Sequence, residues 1–161
     1  MMIRLAERAD LPAINAIYNH YVLHSTCTLD EDVVGEAERD AWFELHRGSY
    51  PATVAVIDDE VVGFAALSRH RTRFAYRFTV EDSVFVREDR LRLGIGNALL
   101  ADLIERAREL EVHSIIAGIE AGQEGSIVLH EKHGFSTVAH LREVGFKFRQ
   151  WLDVVMLQRM M

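Results

Sequence analysis

The stretch Ser83-Val84-Phe85-Val86-Arg87-Glu88-Asp89-Arg90-Leu91-Arg92-Leu93-Gly94-Ile95-Gly96-Asn97-Ala98-Leu99-Leu100 decides the fold that this sequence predicts. Its pattern is an apolar β-strand, a short basic loop, two glycines with one residue between them, and the start of a helix. Backbone N–H groups at a helix N-terminus lack partners inside the helix and carry a partial positive charge. Glycine has no Cβ, so a phosphate can come close to the backbone there. The segment therefore indicates a site for a phosphorylated ligand at the end of a strand.

Composition limits the classes of function that remain. The chain has 161 residues, 49% of them hydrophobic, and we expect a single domain over residues 1–161. Its net charge of −7 argues against a nucleic acid or an anionic membrane surface as the main partner. The only cysteine, Cys27, fits a reducing cytoplasm, and charged residues from Arg4 to Asp10 come too early for a signal peptide. We expect a cytoplasmic protein that binds neither nucleic acid nor membrane.

Hydrophobic periodicity predicts the element order β-α-α-β-β-β-α-β-α-β-β. The second helix is expected to turn Ala37, Trp42 and Leu45 inward. Since hairpin patterns and βαβ patterns are mixed, we expect one mixed sheet with helices on both faces. The predicted strands cover residues 3–7, 53–57, 61–67, 77–86, 112–119, 135–140 and 151–157, and the predicted helices begin near residues 11, 36, 97 and 126.

Two nucleotide-binding motifs are not met by the glycine loop. A dinucleotide fingerprint needs a third glycine where Leu99 stands, and a P-loop needs Gly-Lys-Ser/Thr where Gly96 is followed by Asn97. A Gly-x-Gly alone also fits an ordinary turn into a helix. The arginines beside the glycines favour the phosphate site over that turn.

With the downstream segment Ser126-Ile127-Val128-Leu129-His130-Glu131-Lys132-His133-Gly134-Phe135, the pattern resembles the GNAT-type N-acetyltransferases, which use acetyl-CoA. The resemblance covers essentially the whole chain. It implies an α/β protein with a mixed, mostly antiparallel sheet of six to seven strands and helices on both faces. In that family the loop reads Gln/Arg-x-x-Gly-x-Gly/Ala. Here Leu91 stands at its first position, and Arg90 and Arg92 flank it.

Several further segments are similar to one branch of that family, the phosphinothricin and methionine sulfone N-acetyltransferases. Members acetylate the α-amine of small amino-acid analogues. The resemblance implies a homodimer and direct attack of the amine on the thioester, with no metal. The similar segments are Ile17-Tyr18-Asn19-His20-Tyr21-Val22, Thr79-Val80-Glu81-Asp82-Ser83, Leu129-His130-Glu131, Gly145-Phe146-Lys147 and Trp151-Leu152-Asp153-Val154.

The same resemblance assigns residues to the cofactor. One group would bind the pantetheine arm and another the pyrophosphate, while Lys132 on the short helix would lie near acetyl-CoA. The pantetheine group is Val84, Phe85 and Val86, and the pyrophosphate group is Arg92, Leu93, Gly94, Ile95, Gly96 and Asn97.

Acetyl transfer to an amine needs a base, a stabilised oxyanion and a departing thiolate. We predict Glu81 as the base, directly or through a water, although a solvent-facing carboxylate is the simpler alternative. A backbone N–H near Val84 to Val86 would hold the oxyanion if the strand has an unpaired donor there. His130 is the candidate proton donor for the thiolate, with a packed, hydrogen-bonded histidine an equal alternative.

The basic and aromatic loop before the central strand is the predicted substrate site. Arginine binds carboxylates in a two-pronged contact, and the resemblance singles out Arg71 as the candidate for the substrate carboxylate, because related members have a basic residue there. The resemblance also implies that Phe74, Ala75 and Tyr76 line the pocket and that Gln123 lies near the substrate, together with Glu81. Tyr76 is a third possible acid.

Competing interpretations remain open at this point. His20 and His24 have the spacing of a metal pair but lack a nearby third ligand, so we expect no metal. Within the enzyme class, the acceptor is alternatively a polyamine, an aminoglycoside or a protein N-terminus. From another class, the chain is a non-catalytic sensor that binds acyl-CoA. A sensor has no need of Glu81 or His130, whereas an enzyme does.

Overall fold

The computed structural model describes residues 1–48 and 50–161 and contains one seven-stranded sheet. Its helices are α1 (Leu11–His24), α2 (Glu36–Leu45), α3 (Ile95–Glu109) and α4 (Glu124–Lys132). Its strands are β1 (Met2–Leu5), β2 (Ala52–Ile57), β3 (Glu60–Arg69), β4 (Thr79–Val86), β5 (Ser114–Glu120), β6 (Ser136–Lys147) and β7 (Gln150–Met160). In the described part of the chain, no helix is long and apolar enough to cross a membrane.

The sheet order is β1-β2-β3-β4-β5-β7-β6, and every neighbouring pair is antiparallel except β4 and β5. The predicted mixed, mostly antiparallel sheet with helices on both faces is confirmed. The β2–β3 hairpin turns at Asp58 and Asp59, whose φ angles of 50° and 62° are those of a tight hairpin turn.

Each face of the sheet has its own hydrophobic cluster. On one face α1 and α2 cover Val54 and Phe64. On the other face α3 packs against residues such as Ala55 and Ala65. Because side chains alternate along a strand, consecutive residues of β4 lie on opposite faces of the sheet.

The two central strands separate near their middle. β4 pairs with β5 only from Thr79 to Glu81, while its pairing with β3 continues to Val86. The Arg87 N–H donates to Val62 O in β3, so alternation directs the N–H groups of Val84 and Val86 toward the β5 side. Within the described residues this edge of β4 has no partner strand beyond Glu81. The fold thus leaves an opening lined by backbone donors.

Two parts of the sequence prediction were wrong. In α2 the buried residues are Arg39 and Phe43, whereas Leu45 is 72% exposed and Ala37 is exposed. Trp42 packs against the hydrophobic cluster as predicted, and the prediction was wrong only for Ala37 and Leu45, since Arg39 lies against α1 instead. The last hairpin is also longer than the predicted strands, because Phe148 and Arg149 form its turn with positive φ and no glycine marks the place.

Candidate active site

Glu81 lies on the face of β4 covered by α1 and α2, opposite Ser68 of β3. Its Oε1 is 2.6 Å from His70 Nδ1, and the two side chains are 44% and 16% exposed, respectively. A carboxylate only accepts hydrogen bonds, so His70 Nδ1 carries the hydrogen. Glu81 is therefore accessible, and His70 fixes its orientation.

Sequence analysis did not single out His70. The residue follows the end of β3, and the antiparallel register, with Arg69 opposite Val80, brings it beside β4 next to Glu81. Only the strand register, which the sequence left undefined, identifies this contact.

His130 lies on the other side of the sheet. Its Nε2 is 2.9 Å from Asp82 Oδ2 and its Nδ1 is 2.7 Å from Ser126 O, so both ring nitrogens face acceptors and both must donate. The side chains of His130 and Asp82 are only 5% and 1% exposed. Burial opposes the charge, but the Asp82 carboxylate outweighs it and raises the pKa of His130. The second Asp82 oxygen, Oδ1, has no hydrogen-bond partner among the described residues.

The structure does not place the two predicted proton-transfer residues side by side. Glu81 faces α1 and α2, whereas His130 approaches from α4 and contacts Asp82, the next residue of β4. Asp82 was not predicted as a site residue, because its contact with α4 depends on which face of the strand it occupies.

The predicted substrate loop lies next to Glu81. Tyr76 packs edge-on against His70, with ring centroids 5.6 Å apart, and the Arg71 guanidinium lies 5.9 Å from the Tyr76 ring. Phe74, Ala75 and Tyr76 form one 3₁₀ turn, and Phe74 is 74% exposed. Thus Arg71, Tyr76, His70 and Glu81 form one connected group.

The predicted phosphate loop has the backbone form that its glycines suggest. Gly94 precedes α3 with a φ of 79°, and Arg92 is also left-handed with a φ of 63°. The first helical bond of α3 runs from Ala98 N–H to Gly94 O, which leaves the N–H groups of Ile95 to Asn97 without partners inside the helix. A Cβ at Gly96 would lie 3.4 Å from Leu129 and 3.7 Å from Val86. The loop is therefore close to the open edge of β4.

The side chains of the predicted cofactor residues point in different directions. Val84 and Val86 pack toward α3, whereas Phe85 lies on the opposite face, stacked on Phe64 with ring centroids 5.2 Å apart. The side chain of Ile95 is buried in the core, while Leu93 is 61% exposed and Lys132 is exposed at the end of α4. A ligand could therefore contact Ile95 only through its backbone, because its side chain is buried.

Gln123 lies just before α4, after the end of β5. Its Nε2 is 3.2 Å from Thr26 Oγ1 and 3.3 Å from Glu120 Oε2, and Thr26 Oγ1 is 2.8 Å from the same Glu120 oxygen. This network ties the segment after α1 to the end of β5. The structure therefore shows Gln123 in contact with Thr26 and Glu120, and its place near the substrate stays a prediction.

Comparison with known proteins agrees with the family that the sequence motifs resemble. The sequence matches the family described as Acetyltransferase (GNAT) domain over residues 3–156. It is 44% identical to the L-methionine sulfoximine/L-methionine sulfone acetyltransferase of Pseudomonas aeruginosa, over 97% of this chain and 92% of that one.

Two solved structures have nearly the same fold. One is a ribosomal-protein-alanine N-acetyltransferase from Brucella melitensis, with a TM-score of 0.98 and 42% identity over all of both chains. The other is a GNAT superfamily phosphinothricin acetyltransferase from Sinorhizobium meliloti in complex with AcCoA, with a TM-score of 0.96 and 38% identity over 99% of this chain and 88% of that one.

Proposed function

We propose that this chain, which belongs to the GNAT acetyltransferase family, transfers the acetyl group of acetyl-CoA to the α-amine of a small amino acid or analogue. Methionine sulfone, methionine sulfoximine and phosphinothricin are the candidates that the names of its relatives suggest. The observation that carries the proposal is the accessible Glu81 carboxylate, held by His70 beside the opening between β4 and β5.

In this proposal Glu81 takes the proton of the substrate ammonium, directly or through a water, so that the nitrogen lone pair can attack the thioester carbonyl. The Val84 or Val86 N–H on the open edge of β4 stabilises the oxyanion. Collapse of this intermediate breaks the C–S bond and keeps the new C–N bond. CoA leaves as the thiolate, and the second proton that the amine nitrogen loses converts it to the thiol. The N–H groups at the start of α3, with Arg92 and Gly94 before them, hold the pyrophosphate.

We further propose that His130 contributes charge from behind the open strand edge. Both of its nitrogens are engaged, and its pKa is raised by Asp82. The positive charge of the His130 imidazolium would stabilise the negative charge that develops on the departing thiolate, and the ring would keep both of its hydrogen bonds. Arg71 binds the substrate carboxylate, and Tyr76 forms one wall of the pocket.

The direct test is thiol release from acetyl-CoA with a panel of acceptors. We expect turnover with methionine sulfone, methionine sulfoximine or phosphinothricin, and an acetylated α-amine by mass spectrometry. The panel includes spermidine, an aminoglycoside and a peptide with an N-terminal alanine. Turnover with one of these alone would contradict the proposed substrate class, and acetyl-CoA binding without turnover of any acceptor would indicate a sensor.

We also propose a cytoplasmic homodimer. Several apolar side chains of the last hairpin are exposed, including Val144 (55%), Phe146 (52%) and Trp151 (63%). A second copy is the occupant that the family resemblance implies for such a surface. Light scattering on the purified protein should give twice the chain mass of 18.4 kDa, and Trp151→Lys should shift it toward one chain mass.

A further inference from the structure

A cavity of about 530 Å³ lies between α1, α2 and the strands β3 and β4. Its floor is aromatic, with Phe64 and Phe85, and Ser83 lies beside them. Its rim carries the acidic residues of the segment after α1, Asp30 to Asp32. We call it the acceptor cavity, because Ser83 and Phe85 are on the same face of β4 as Glu81.

Arg39 of α2 lines this cavity and is only 4% exposed. Its guanidinium lies between two aromatic rings, 5.1 Å from the centroid of Tyr18 and 4.8 Å from that of Trp42. Its Nε donates to Asn15 Oδ1 at 3.0 Å. Among the described residues no carboxylate oxygen lies within 4.0 Å of it, and its terminal amino groups have no hydrogen-bond partner.

A buried guanidinium with no carboxylate in direct contact is unusual, because burying a charge without a direct partner is unfavourable. Burial lowers the pKa of Arg39 below its ordinary value, although the negative charge of Asp30 acts in the opposite direction. The aromatic rings hold the group flat, and Asn15 fixes its rotation. The terminal amino groups of Arg39 are therefore oriented N–H donors that line the acceptor cavity and have no hydrogen-bond partner among the described residues. This is the arrangement expected of a ligand subsite.

The charges around the cavity indicate which acceptor fits. Asp30 already accepts from Tyr18 at 2.5 Å, and Glu38 accepts from the Gly35 N–H at 2.9 Å. Glu31 and Asp32 add further negative charge at the rim. A ligand group with its own negative charge would be repelled by these four carboxylates. A neutral group with strong acceptor oxygens fits both the donors and the rim.

Distance along the strand supports a role in substrate recognition. Ser83 is two residues from Glu81, which corresponds to about 7 Å along a strand. That span is comparable to the distance from the α-amine of a methionine-sized amino acid to the end of its side chain. An acceptor with its amine at Glu81 would therefore extend its side chain toward Arg39.

We propose that Arg39 is a specificity-determining residue that donates hydrogen bonds to a neutral polar group at the end of the substrate side chain, such as a sulfone or sulfoximine. This inference rests on the proposed function and adds to it the subsite and the chemistry of the recognised group.

The test compares methionine sulfone with norleucine, which has similar length but no side-chain acceptor. Arg39→Met should lower kcat/KM for the sulfone about 10- to 100-fold, as loss of a hydrogen bond from a charged donor does. It should leave kcat/KM for norleucine unchanged or raised. The matched control is Arg8→Met. Arg8 also stacks on an aromatic residue of α2, Phe43, but it is exposed and lies outside the acceptor cavity.

Several outcomes would overturn the inference. Equal losses for sulfone and norleucine would mean that Arg39 only supports the fold. A wild-type preference for phosphinothricin, with the largest Arg39→Met loss on that substrate, would mean that the subsite takes an anion. If Arg39→Met does not fold, the wild type decides: equal kcat/KM values for methionine sulfone and norleucine would refute the proposal.

Failure of this inference is distinct from failure of the proposed function. Wild-type acetylation of any of these amino acids supports the proposed function, whatever Arg39 does. If the wild type acetylates norleucine and the sulfone equally well and Arg39→Met changes neither, the enzyme assignment stands and the subsite does not.

Discussion

Two consecutive residues of β4 form carboxylate–histidine pairs on opposite faces of the sheet. Glu81 pairs with His70 at 2.6 Å on the face of α1 and α2, and Asp82 pairs with His130 at 2.9 Å on the face of α3 and α4. The bond lengths are similar, but the exposures are not. The Glu81 side chain is 44% exposed, whereas that of Asp82 is 1% exposed.

Because the two pairs differ in burial, they are suited to different roles. An accessible carboxylate can exchange a proton with a substrate and with solvent. A buried pair cannot do so readily, and removing one partner leaves an uncompensated charge in the interior. We therefore expect the main effect of a Glu81 substitution to be on turnover and that of an Asp82 substitution to be on stability.

The largest expected effect is that of Glu81→Gln on turnover. The amide keeps an oxygen that can accept from His70 but cannot take a proton, so kcat should fall about 10²-fold or more. Acetyl-CoA affinity and the unfolding midpoint should stay near the wild-type values. Steady-state kinetics and calorimetric titration with acetyl-CoA measure the two quantities. An unchanged kcat would mean that Glu81 is not the base, and the two pairs would then not differ in their roles as proposed.

The second prediction concerns the buried pair. Asp82→Asn should lower the free energy of unfolding by about 3 kcal/mol, because the positive charge of His130 loses its partner. The measurement is urea unfolding at pH 6. A loss below about 0.5 kcal/mol would show that the pair behaves like an exposed one.

The same pair should make stability depend on pH. Since Asp82 raises the pKa of His130 in the folded chain above its ordinary value of 6.5, the stabilisation is complete below pH 6.5. It is lost as the pH rises through the higher folded-state pKa. His130→Gln should remove this decline, whereas His140→Gln should keep it, since the His140 side chain is 53% exposed. If the stability of the wild type increased as the pH rises above 6.5, the assignment of the pH dependence to the His130–Asp82 pair would be contradicted.

The sequence predicted the strand, loop and helix around the opening in the sheet better than it predicted the side-chain contacts there. The apolar run Val84 to Val86, the glycines and the helix after them follow from local patterns, and the fold they predict is the one observed. The partners of Glu81 and Asp82 depend on strand register and on which face each residue occupies, and neither is local information. Arg39 was missed for a similar reason. A charged residue in an amphipathic helix predicts solvent exposure, and only the packing of α1 on α2 buries it.

The smallest expected effect belongs to His70, which we regard as a positioning residue for Glu81. His70→Phe keeps a ring against Tyr76 but loses the donor, so kcat/KM should fall about 10-fold. His70→Asn returns an N–H donor near the place of Nδ1 and should recover most of the loss. Equal losses in both variants would mean that His70 only packs beside Tyr76, and the accessible pair would then reduce to Glu81 alone.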